Sequence, residues 1–323
     1  MKKLIPFLLL VVLFSCKKED DKYGEILDGE INLNEEYGPR INQVSMGSEY
    51  TYQAYFDLND NEAKANVSKY LWDIGLVNDS PFVVMNQSIS GLRIALSPND
   101  WSSTNASTSA EMGYDMIGER DYYIGSNFAE NVYILDRGVD ETAQPLGMKK
   151  FMVVFDNGQY TVTSADMNGS NEVVQTFDVN GEYNFQHVNL VDGVHSVEPS
   201  KEDWDIVFTH YLHIFDPETA PFPYQVTGCL VNSYGVTVAE ALEHSYDEVD
   251  YEIASTYERT NDIDEIGYDW KYYDFDLGFI TDDTRTFIVE DVEGNLFKIK
   301  FTSFYNEDGD KGNPQFEYQK LQP

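Results

Sequence analysis

The chain has 323 residues, 42% of them hydrophobic and 14% aromatic, enough to bury one large core or two ordinary ones and too apolar for wholesale disorder. Its 57 acidic residues outnumber 21 basic ones, and the formal net charge is −36. A field of that sign repels phosphate backbones and anionic head groups, which argues against nucleic-acid binding and against a polybasic membrane patch.

The first fifteen residues, MKKLIPFLLLVVLFS, carry Lys2 and Lys3, an apolar run from Leu4 to Phe14, and a small residue before Cys16. That order is the pattern of a secretory signal peptide over residues 1–15, too short to span a bilayer as a mature helix. Leu13-Phe-Ser-Cys16 resembles a bacterial lipobox, with a larger Phe14 than such boxes usually carry, so Cys16 is expected to become the lipidated first residue. A tether follows over residues 16–23. Its Lys17-Lys18-Glu19-Asp20-Asp21 is similar to the export tag of surface lipoproteins in the Bacteroidota, with a plain solvated charge run as the alternative. The expected location is the outer membrane, lipid-anchored and exposed on the cell surface.

From there on, runs rich in Val, Ile, Phe, Tyr and Thr alternate with polar residues and stop at Gly, Asn, Asp or Pro, which predicts a mainly β, antiparallel fold. Short helices are expected only in 61–66 and 238–243. Phe56-Asp-Leu-Asn59 recurs as Phe177-Asp-Val-Asn180, and Trp72-Asp-Ile-Gly-Leu76 as Trp204-Asp-Ile-Val-Phe208. A hairpin pattern closes each half: Phe151–Phe155 turning at Asn157-Gly158 into Tyr160–Thr163, and Thr286–Glu290 turning near Gly294-Asn295 into Phe297–Phe301. These elements suggest two degenerate repeats, 24–170 and 171–323, with a boundary near 170–172; one large sandwich is the alternative. The Trp-Asp pairs read as an inward aromatic and an outward charge on a strand. Cys16 and Cys229 are the only cysteines, and Cys229 lies among β-prone apolar residues as an expected buried, inert thiol.

Trp204-Asp-Ile-Val-Phe-Thr-His-Tyr211, the segment Val226–Ala241 and the ending Phe287–Tyr305 together resemble the HmuY family, mostly β surface lipoproteins of the Bacteroidota that bind haem and help capture it for import. The resemblance covers mainly residues 171–323, and more faintly 50–170 through the repeat. It implies haem as ligand, no catalysis, and an outer-membrane haem transporter or a haem-carrying protein as partner. It also implies axial ligands, His or Met in family members, but the place after Trp270 that should supply the second His holds Tyr272-Tyr-Asp-Phe275, and this half has no Met. The remaining iron-ligand candidates are His210, His213, Tyr272 and Tyr273. Strict alternation puts Trp204, Ile206, Phe208, His210 and Leu212 on one face of a strand and His213 on the other, so the two His cannot share one iron unless a bulge intervenes. Lys298 and Lys300 are candidates to face the haem propionates, or simply the wet side of a strand.

Other chemistry is sparse. Asn306, Asp308, Asp310 and Glu317 imitate a calcium-loop spacing, but Lys311 stands where the turn wants Gly and the flanks are strand-like, so a hairpin turn is expected. No nucleophile elbow, zinc helix, phosphate loop or dinucleotide fingerprint is present. A non-catalytic haem-binding protein is therefore the first expectation. The alternative is a surface recognition module for a glycan or host protein, with Trp101, Tyr122-Tyr123 and Tyr272-Tyr273 as the aromatic pointers.

Overall fold

A computed structural model describes residues 36–323 except 118–119 and 217–218; the signal peptide, Cys16 and the tether expected above lie outside the described residues. The chain opens with β1 (Arg40–Gln43), β2 (Tyr52–Asp57) and β3 (Glu62–Ser68), then a 3-10 turn at Lys69–Leu71. Next come β4 (Ile74–Val77), β5 (Val83–Met85), β6 (Leu92–Leu96), β7 (Tyr133–Arg137), β8 (Met148–Asp156) and β9 (Gln159–Asp166). After residue 170 follow β10 (Val173–Asp178), β11 (Phe185–Asn189), β12 (Gly193–His195), β13 (Ile206–Phe215), β14 (Phe222–Val231) and β15 (Thr237–Glu240). A short helix, α1 (Tyr251–Ala254), precedes β16 (Lys271–Asp274), β17 (Gly278–Thr281), β18 (Phe287–Glu290), β19 (Leu296–Tyr305) and β20 (Lys311–Lys320).

The strands build two sandwiches on one plan. In the first, the sheet β14-β13-β2-β3 packs on the sheet β1-β20-β19-β18-β15; in the second, β5-β4-β11-β12 packs on β10-β9-β8-β7-β6. Each position in one series has its counterpart in the other, and the ladders are antiparallel throughout. Strands from both sides of residue 170 share these sheets. β2 pairs with β13 and carries β3 on its far side, whereas β11 pairs with β4 and carries β12, so each half of the sequence lends its opening strands to the sandwich of the other.

The same hydrogen bonds pin both copies. Asp73 N donates to Val188 O and Asp205 N to Phe56 O, each at 2.9 Å. Asn86 Nδ2 donates to the carbonyls of Lys69 and Trp72, and Asn232 Nδ2 to those of Lys201 and Trp204. Their side-chain oxygens accept from the backbone of Ser88 and Tyr234. Both asparagines are wholly buried, so each satisfies a bend that would otherwise bury bare carbonyls.

Alternation along β13 explains the layering. Ile206 and Phe208 enter the first core, where Phe208 meets Phe316 at 5.3 Å, while Val207 and Tyr211 face the junction with the second sandwich. Each fully buried Phe there contributes about 2 kcal/mol from area alone. Trp204 precedes the strand and packs with Val207 and Tyr211, not with Ile206 and Phe208 as strict alternation predicts. Its neighbour Asp205, like Asp73, is buried and not an outward charge.

Other expectations change as well. Residues 61–66 form the turn and start of β3, with Asn61 at positive φ and Ala65 paired with Tyr55, and 238–240 belong to β15. Helix-favouring Ala and Glu yield here to cross-strand pairing. The Phe56 and Phe177 stretches are not counterparts, since β2 corresponds to β11 and not β10. Likewise the β8–β9 hairpin answers to β19–β20, one strand later than the sequence match. The acidic loop is the turn of that last hairpin: Gly309 N donates to Asn306 O, and Asp310 N to Asn306 Oδ1 at 2.7 Å.

Candidate functional site

The hairpin β16–β17 projects from the first sandwich with its apolar side chains in solvent. Asp274 Oδ1 accepts from the backbone N–H of Asp276 and Leu277, at 2.8 and 2.9 Å, and bends the tip. Gly278 follows at φ +83°, where a Cβ would strike the Tyr305 hydroxyl that accepts from Phe279 N. Phe275 is 95% exposed, Leu277 74%, and Tyr272 and Tyr273 57% each. Tyr272 and Tyr273 lie on opposite faces of the hairpin. Tyr273 packs edge-on to Phe279 at 5.1 Å, Phe279 to Phe304 at 4.9 Å, and Phe304 stacks on Tyr50 at 6.0 Å. Exposed Phe222 and Tyr224 on β14 are a second such pair. An apolar edge of this kind on an otherwise strongly acidic protein marks a contact surface.

His210 closes the inner end of this aromatic row, 5.6 Å from the Tyr50 ring. Its Nδ1 lies 3.2 Å from Lys69 Nζ and its ring also hydrogen-bonds the Ser88 backbone. Burial, with Lys69 and Lys271 adding repulsion, pushes its pKa down to about 3, so the imidazole is neutral and already engaged. β13 and β14 pair without a bulge from Ile206 to Phe215, and His213 sits on the other face against Phe215 and Tyr268, both at 4.7 Å. The two histidines are not brought together. Lys298 is buried and donates to the carbonyls of Tyr246 and Val249, and Lys300 pairs with Glu317 at 3.1 Å; both lie over the Tyr246 ring. Beside the aromatic row lie Lys311, 4.8 Å over Tyr50 and less buried than the others, and the buried Lys69 and Lys271. Lys271 is buried beneath the hairpin against Trp270 and Phe304, with its pKa lowered to about 7 by desolvation.

A second feature lies where the sandwiches meet. A cavity of about 330 Å³ opens between β2, β13 and β14 on one side and β4, β5 and β11 on the other. Each side lines it with an equivalent ring pair, Tyr55 edge-on to Trp204 at 4.9 Å on one and His187 edge-on to Trp72 at 4.7 Å on the other. Glu198 accepts from Phe185 N at 2.6 Å and from Asn184 Nδ2 at 3.2 Å, and Asp115 from Met85 N and Tyr123 N. Desolvation raises their pKa values to about 7 and about 6 despite these bonds, and lowers that of His187 to about 3.

The HmuY protein family model matches residues 49–318. The chain belongs to the HmuY family. The match spans both sandwiches, a wider extent than the 171–323 stretch in which the resemblance is legible by eye. No curated protein matches the chain. Among solved structures it is similar to apo PinO from Porphyromonas gingivitis, at 10% identity over 88% of this chain and 98% of that one, with a TM-score of 0.30. It is also similar to the apo HmuY analog of Tannerella forsythia, at 8% identity over 90% and 98%, with a TM-score of 0.23.

Within this HmuY-family chain, the cavity residues Glu198, Asp115 and Gln53 carry no sequence signal of their own. Asn86 and Asn232 do, because each follows a three-residue apolar run, Val83–Met85 or Cys229–Val231, after a Trp-Asp pair. Among the other aromatic pointers, Trp101 is covered by Lys150 at 4.6 Å and donates to Glu172, and Tyr122 packs on Phe82 at 5.2 Å. Cys229 is wholly buried in the first core, and burial pushes its thiol pKa up, as an inert thiol requires. No described helix is long and apolar enough to cross a membrane.

Proposed function

We propose that this protein is a non-catalytic, lipid-anchored surface protein that takes up haem as cargo on its aromatic edge and delivers it to an outer-membrane haem transporter. Membership of the HmuY family supports the ligand class. The observation that carries the reading is the bare row Tyr273, Phe275 and Leu277, which offers a porphyrin face apolar contact and one unburied phenol. Tyr273 is the better placed of the two tyrosines, because it faces Phe279 and the row that ends at His210. Lys311 supplies the cation that a propionate needs on so acidic a protein. His210 plays a supporting part, since an iron bond there would displace Lys69 or Ser88.

Titration of the lipid-free chain with haemin tests this reading. A saturable Soret shift is expected, weakened about tenfold or more in Tyr273→Phe; a spectrum equal to the sum of its parts rejects it. The stacked exposed pair Phe222–Tyr224 supports a second reading, in which the same edge recognises a glycan or a host protein. Hits on a glycan array from a chain that leaves haemin unshifted would favour that alternative.

A further inference from the structure

The junction cavity is asymmetric in one respect. Trp72 Nε1 donates to Gln53 Oε1 at 3.1 Å, and Gln53 Nε2 in turn donates to Ser88 and Thr209. At the counterpart of Gln53 stands Phe185, whose ring offers no acceptor, and Trp204 Nε1 is left buried without a hydrogen-bond partner. Two more cavity-lining residues share that condition: the Tyr211 hydroxyl and Gln87 Nε2. Trp204, Tyr211 and Gln87 are 5%, 1% and 3% exposed, so these donors are shut off from bulk solvent as well.

The two buried carboxylates of the cavity, by contrast, are already occupied. Both oxygens of Glu198 and both of Asp115 receive N–H bonds. What the cavity lacks is an acceptor, and a guest can bring one. Its walls are aromatic, from Tyr55, Trp72, Phe82, Phe185 and Trp204, and its volume is at the lower end for a small-molecule site. Among the residues that line it are Asp79, Asp115 and Glu198 but no Lys or Arg, so an anionic guest, haem propionates included, meets only like charge.

We propose that this cavity is a second binding site, for a neutral, planar ring compound that presents carbonyl oxygen to the Trp204 indole N–H. The site is separate from the aromatic edge and stands whether or not haem binds there. Coumarin, a neutral bicyclic lactone, is the probe and naphthalene its carbonyl-free control. Calorimetric titration of the lipid-free chain is expected to give saturable one-to-one coumarin binding. Trp204→Phe, which keeps a ring and removes the donor, is expected to weaken it about tenfold, the worth of one buried hydrogen bond. Naphthalene is expected to bind at least tenfold more weakly than coumarin. No saturable coumarin binding overturns the proposal. So does equal binding of both probes with no effect of Trp204→Phe, which would make the cavity a plain apolar void. Should Trp204→Phe fold poorly, Tyr211→Phe and Gln87→Leu remove the other two donors and carry the same expectation.

Discussion

The two sandwiches differ most in the segment that each inserts before its outer sheet is completed. Equivalent bridges anchor both segments: Val83 to Gly125 and Ile94 to Gly113 in one, Cys229 to Gly267 and Val238 to Thr260 in the other. Among the described residues of 97–132, Trp101 is covered by Lys150 and Glu172, Phe128 is buried, and Tyr122 packs on Phe82. Residues 241–286 raise a hairpin whose tip is bare. One scaffold thus carries an insert that packs back on its sheet and one that projects into solvent.

The comparison extends to buried charge, and there it breaks most visibly. Asp73 is paired with Arg137 at 2.9 Å, but Asp291 occupies the counterpart of Arg137, and burial of Asp205, with repulsion from Asp57 and Asp291 added, raises its pKa to about 7. Arg137→Ala is expected to cost about 3–5 kcal/mol in urea unfolding, because it strands Asp73. Asp205→Asn is expected to cost no more than about 1 kcal/mol at pH 7, since the native group is already half protonated. Equal costs would show that the two buried aspartates do the same work.

A pH series sharpens the contrast at the junction. Glu198 holds its proton up to about pH 7 when folded, whereas a free glutamate releases it near 4.5. The folded state therefore binds more protons between those values, and the contribution of this group is full below pH 4.5 and lost as pH rises through 7. Stability of Glu198→Gln relative to wild type is expected to rise across that window, by as much as about 3 kcal/mol. A flat difference between pH 5 and 8 in thermal unfolding would contradict this.

Smaller effects separate the two tryptophans. Trp72→Phe leaves Gln53 Oε1 without its donor and is expected to cost about 1–3 kcal/mol, whereas Trp204→Phe removes an N–H that has no partner and is expected to change stability by less than about 1 kcal/mol. Smallest of all, Phe275→Ser is expected to leave the unfolding midpoint within about 0.5 kcal/mol of wild type while weakening haemin binding. A large loss of stability there would mean that the hairpin tip is structural.

How far the sequence foretells this can be argued residue by residue. Trp72-Asp73 and Trp204-Asp205 are legible as a repeat because both pairs sit at the same buried bend, and the antiparallel β class follows from alternation alone. Alternation names a face but not a partner strand, so the exchange of β2 with β11 is invisible to it. Helix-prone Glu62-Ala63-Lys64-Ala65 misleads because cross-strand contacts with β2 outweigh local propensity. Tyr272 and Tyr273 are visible as a pair, but their exposure depends on a turn held by Asp274. His210 looks like a ligand until Lys69, distant in sequence, arrives beside it.

The exchanged strands also set an order of assembly. All strands of the second sandwich lie within residues 74–195, so that body can close while the rest of the chain is still being made. β1 must wait for β20, its partner from Arg40↔Tyr318 to Gln43↔Gln315, and such long-range pairing is slow. Until then β1 is an unpaired edge strand, whereas β2 and β3 pair with each other and with the earlier β13. A chain cut short within β20 would leave β1 and β19 without the strand that joins them, and the hairpin β16–β17 would stand on an unfinished sandwich.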